Sequence, residues 1–160
     1  MSRITPPDGA ALSERQREVH EAIRSGPRGQ VRGPLAVWLR RPELADRAQA
    51  LGRYCRYDTL LPPRLSELAI LTIARIWGAE FEWWAHKAIA LEAGLSEAVV
   101  EAIRTNREPV FEQEDEAVVS AFTRAAYLAR RVSDALYARA VEILGRMPSS
   151  ISSVSSATMR

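Results

Sequence analysis

Residues 64–77 read RLSELAILTIARIW and residues 80–93 read EFEWWAHKAIALEA, with Gly78-Ala79 between them and Gly94 after them. Each run is apolar almost all round, broken in the first only by Arg64, Glu67 and Arg75, as expected of a helix buried in a bundle core. Gly78 ends or kinks the first helix, and Gly94 stops the second. Two buried helices therefore meet near Gly78.

Upstream, Ser13 is placed to cap a short polar helix from Glu14 to Ile23. SGPRGQVRGP, residues 25–34, then breaks the pattern with glycines and prolines and reads as a loop or linker. From Leu35 the helical pattern resumes. Pro42 opens PELADRAQALGRYCRYD with Leu44, Ala48, Leu51 and Tyr54 or Cys55 on one stripe. Downstream, Ser96 caps SEAVVEAIR, and residues 105–115 are a polar connection. EDEAVVSAFTRAAYLARR follows with Val118, Val119, Phe122, Ala126 and Leu128 as its apolar stripe, and Ser133 caps DALYARAVEILG. No segment alternates with period two, so the fold class is all-α.

The domain reading is an N-terminal helix and linker over 1–32, a helical domain over 33–146 and a serine-rich tail over 147–160. That tail, MPSSISSVSSATMR, has no periodicity and admits two readings. One is a disordered terminus. The other is a shifted reading frame: with suitable codons PSSISSVSSATMR, read from the third base, becomes ELDLIGLIGYYA, an apolar helical continuation of VEILG.

A chain of 160 residues builds one core. Hydrophobic residues make up 47% and charged residues 26%, and no apolar run approaches a bilayer span, so no membrane is expected. The opening MSRITPPDGA lacks a basic region leading into an apolar one, which makes the cytoplasm the expected location. A single cysteine, Cys55, excludes a CxxC pair and a cysteine-built zinc site within one chain, and reads as a small buried apolar residue. Two histidines and one cysteine argue against a transition-metal site built from protein alone, although carboxylates could complete one. The 22 basic residues, all arginine except Lys87, are balanced by 20 acidic ones and scattered along the chain, so no nucleic-acid partner is expected.

Glu67, Glu82 and His86 do not fit a purely structural account. Glu67 lies among Leu65, Leu68, Ile70 and Leu71, where a charge needs a partner; Arg64, Arg75 and His86 are the candidates. Glu82 and His86, four residues apart, share a helix face beside Trp83 and Trp84. A carboxylate beside an imidazole in apolar surroundings can move protons near neutral pH. Taken singly, each feature has a plainer account. An i, i+4 Glu–His pair is more often a surface pair, the tryptophans core or interface aromatics, and Arg75 either a carboxylate clamp or the counter-charge of Glu67.

The run LPPRLSELAILTIARIWGAEFEWWAHKAIALEAGLS, residues 61–96, resembles the central hairpin of the carboxymuconolactone decarboxylase family, which includes the AhpD-like alkylhydroperoxidases. The signs are Arg64 and Glu67 as R-x-x-E, Gly78, E-F-E-W at 80–83, His86, and A-x-x-x-G-L-S at 90–96. The flanking residues from about 33 to 145 resemble it as well. The resemblance implies an AhpD-like helical bundle that assembles as trimers or hexamers. In the thiol branch a glutamate, two cysteines and a histidine reduce peroxides. Here Glu67 and His86 match the glutamate and histidine, while Ala79 and Glu82 stand where the cysteines would be, so a peroxidase is disfavoured.

The expectation is therefore cofactor-independent decarboxylation, or related proton transfer, on a small carboxylated lactone or acid. Glu67, Glu82 and His86 would be catalytic, Arg64, Arg75 and Trp83 would bind substrate, and no metal would take part. The alternative is a non-catalytic helical oligomer of the same fold.

Overall fold

The computed structural model describes residues 4–145, so the serine-rich tail and both of its readings lie outside the described residues. Eight α-helices run through these residues: α1 Glu14–Arg24, α2 Gly33–Trp38, α3 Pro42–Tyr57, α4 Pro63–Trp77, α5 Glu80–Glu92, α6 Glu97–Arg104, α7 Glu114–Arg124 and α8 Asp134–Leu144. No strand occurs among the described residues, and the chain is all-α. No helix there is long and apolar enough to cross a membrane.

The chain divides into two compact units between Asp58 and Thr59. The first contains α1 to α3. Ser13 caps α1 with a reciprocal pair of bonds: its hydroxyl accepts from the Gln16 amide, and the Gln16 side chain accepts from the Ser13 amide. Val19, Ile23, Leu35, Leu39 and Ala45 form one core with Val31 against it. Residues on both sides of the glycine-rich turn thus pack into the same core. The stripe expected on α3 is not its packed face. Leu44, Leu51 and Tyr54 are exposed, and Ala45 makes the close approach. Arg15 ties α1 to α3 through Glu43 at 2.9 Å and Asp46 at 2.8 Å.

The second unit is built on α4. Pro63 starts the helix at its first turn, where a missing N–H costs nothing. Gly78 ends it in the left-handed region at φ 60°, and the Ala79 amide returns to the Ala74 carbonyl at 2.8 Å. Only Gly78 and Ala79 separate α4 from α5, so the two fold back as a hairpin. Leu65, Leu68 and Leu71 of α4 bury with Ala90 of α5, Leu95, Val99, Val100 and Ile103 of the α6 region, and Val119 of α7. A second cluster joins Val118 and Phe122 of α7 to Ala140 of α8.

Two expectations are corrected here. Only His86 and Ala90 of α5 are buried, and Phe81 and Trp84 are exposed, so α5 is not enclosed all round. Leu128 also points outward. A π-helical turn over Ala125–Ala129 follows α7 and shifts the register, so the apolar stripe that serves Val118 and Phe122 stops before Leu128.

Candidate functional site

Glu67 lies eleven residues before Gly78 and His86 eight residues after it. At about 1.5 Å per helical residue these are roughly 16 and 12 Å from the turn, so a hairpin brings both to nearly the same level. There His86 Nδ1 meets Glu67 Oε2 at 2.6 Å. Both residues are buried, Glu67 being 3% and His86 8% exposed. Of the three partners the sequence offers for Glu67, the imidazole is the one this geometry selects. With Nδ1 protonated, the ring donates to the carboxylate and turns Nε2 outward.

Nε2 faces Glu82 Oε2 at 3.5 Å, and the Glu82 side chain is 42% exposed. The three groups therefore form a line from a buried carboxylate, through an imidazole, to a carboxylate at the surface. A buried carboxylate fixes the ring's tautomer and stabilises its protonated form. The outer carboxylate can exchange protons with water.

Arg64 is placed differently. Its guanidinium is held by Asp115 at 2.7 Å and by Glu116, both at the start of α7. Burial works against its charge, and the hydrogen bonds to Asp115 and Glu116 outweigh that, so its pKa is raised. It clamps α4 to α7 and does not join the Glu67 group.

Arg75 and Trp83 border an open cavity of about 470 Å³ at the turn of the hairpin. Ala79, Glu80, Trp84 and Arg104 also line it. The Arg75 Nε donates to the Arg104 carbonyl at 3.0 Å, and Glu101 accepts two bonds from the Arg104 guanidinium at 2.6 and 2.7 Å. Trp83 also packs against the core, three residues before His86 and on the same side of α5. Trp83 is thus the residue common to the cavity lining and to the side of α5 that carries His86, while Glu67, Glu82 and His86 do not line the cavity. Sequence reasoning misses Arg104 and does not assign Trp84 to binding. Arg104 carries only the signature of a helix end, a basic residue in the last turn.

Cys55, on α3, is half-buried, and burial pushes its thiol pKa up. That favours the inert thiol over the thiolate. Among the described residues no group of three or more His, Cys, Asp or Glu is arranged to hold a metal ion.

The hairpin, the Gly78 turn and the Glu67–His86 contact sit within residues 42–125, which match the model of the carboxymuconolactone decarboxylase family. The chain belongs to this family. The match starts at the first residue of α3 and ends one residue beyond α7. No curated protein and no solved structure matches the chain. As a member of the carboxymuconolactone decarboxylase family it has that family's all-helical, AhpD-like fold.

Proposed function

We propose that the protein is an enzyme that decarboxylates, or moves a proton on, a small carboxylated lactone or acid without a cofactor. The buried Glu67–His86 contact at 2.6 Å, continued to Glu82, is the observation that carries this reading. Loss of CO2 breaks a carbon–carbon bond and leaves the electron pair on the substrate skeleton. A proton must then reach carbon. In this reading His86 delivers it from Nε2, Glu67 stabilises the imidazolium and holds its orientation, and Glu82 returns a proton from solvent. Arg75, with Arg104 beside it, holds the carboxylate, and Trp83 and Trp84 cover the apolar part of the substrate.

A thiol peroxidase is disfavoured because Ala79 and Glu82 stand at the cysteine positions of that branch. The exposed Trp77, Phe81 and Trp84 support assembly of several copies through this end of the hairpin, which light scattering measures directly.

The deciding experiment follows CO2 release from carboxylated muconolactones by the purified protein. Release that depends on His86 supports the reading. A folded protein that releases no CO2 and exchanges no substrate proton with deuterated water across these lactones overturns it, leaving a non-catalytic oligomer of the same fold.

A further inference from the structure

A second, smaller cavity shares Arg75 with the large one, and none of Glu67, Glu82 and His86 lines it. It holds about 20 Å³, little more than one water molecule. Buried Thr72 of α4 and Ser120 of α7 form part of its floor. Arg75 of α4, Arg107 of the α6–α7 connection and Arg124 of α7 are among the residues that line it. No carboxylate lines it.

The local chemistry leaves these charges available. Arg75 uses Nε on the Arg104 carbonyl, and Arg107 uses Nε on Thr105 Oγ1 at 2.9 Å, so both keep their terminal N–H edges for other acceptors. Among the described residues none of the three arginines forms an ion pair; Glu101 is held by Arg104, and Arg107 lies near enough to add to the field at that carboxylate. Three like charges on one small cavity repel one another, and an anion between them removes that cost.

The geometry points to a binding site for a phosphate or phosphoryl group held by Arg75, Arg107 and Arg124. Guanidinium forks match oxyanions, and donors arriving from three separate elements suit a tetrahedral anion better than a planar carboxylate. The cavity admits one oxygen, and the other oxygens meet the guanidiniums at its mouth. Arg75 also borders the larger cavity, so an anion here bears on the residue proposed to hold the substrate carboxylate.

The test reads binding and not turnover, so it stands or falls apart from the proposed reaction. Inorganic phosphate is titrated calorimetrically into the full chain against sodium chloride at matched ionic strength, with glycerol phosphate in a parallel arm. The expected result is saturable phosphate binding with no matching chloride response. Arg107→Gln and Arg124→Gln should each weaken it by roughly tenfold or more, the scale of a lost charge-assisted contact. Arg107→Lys should restore part of it, and Arg47→Gln, an exposed arginine of α3 that lines neither cavity, should leave it unchanged. Binding of glycerol phosphate identifies a phosphoryl group on a larger ligand, and binding of inorganic phosphate alone identifies the free ion; either supports the site. Absence of saturation, an equal chloride response, or unchanged binding in folded Arg107→Gln overturns it.

Discussion

α4 and α5 are both rich in apolar residues and face each other across a two-residue turn, yet they are buried very differently. α4 buries seven of its fifteen residues and α5 two of its thirteen. The difference lies in arrangement. In α4 the apolar groups at Leu65, Leu68 and Leu71 follow helical spacing and meet α5, α6 and α7. In α5 the large apolar groups are spread around the axis, so some must face out, with Trp84 66% exposed. α4 supplies the centre of the core, while α5 carries His86 on its inner side, the cavity at its N-terminus and aromatic surface outside. α4 adds Glu67, its one acidic residue, and Arg75 at the cavity.

The sharpest way to break this contrast is to remove bulk from α4. Leu68→Ala should cost roughly 2–5 kcal/mol in urea unfolding, because Leu68 is fully enclosed and its neighbours can collapse only in part. A cost under about 1 kcal/mol would mean that α4 is not the centre of the core. Next in size, His86→Gln should lower turnover by roughly 10²-fold or more while circular dichroism shows unchanged helicity. Full activity in that variant would return α5 to a purely structural part. The smallest effect belongs to Trp84→Ala. Its ring is exposed on the single chain and meets Phe81 with centroids 5.9 Å apart, so the loss in folding stability of the dissociated chain should stay at about 1 kcal/mol or less. A cost as large as that of Leu68→Ala would erase the distinction between the two helices.

The contrast is only half legible in the sequence. Helical spacing, Ser13, Ser96 and Ser133 as caps, and Gly78 as a stop are local signals, and each places a helix end within a residue or so. Burial of α5 is not legible, because apolar composition does not say how many partner helices are present to cover it. The contacts of Arg64 are not legible for a related reason: its partners Asp115 and Glu116 lie 51 and 52 residues away, and no local pattern connects them. The spacing misplaces Leu128 because the π-helical turn breaks the period on which the stripe is counted. Glu67 is the most legible site residue. A carboxylate inside an apolar helix demands a partner, and His86 is among the three that the sequence offers.

The central claim is that Glu67 of α4 and His86 of α5 act as one unit. A double-mutant cycle on folding stability, with Glu67→Leu, His86→Leu and the pair together, tests it without needing a substrate. Each single change should cost roughly 1–3 kcal/mol, because it leaves a buried polar partner unsatisfied. The double variant should cost less than the sum of the two, by about 1 kcal/mol or more, since neither partner is then left alone. Costs that add within about 0.5 kcal/mol would show that the two side chains are independent and would contradict the account.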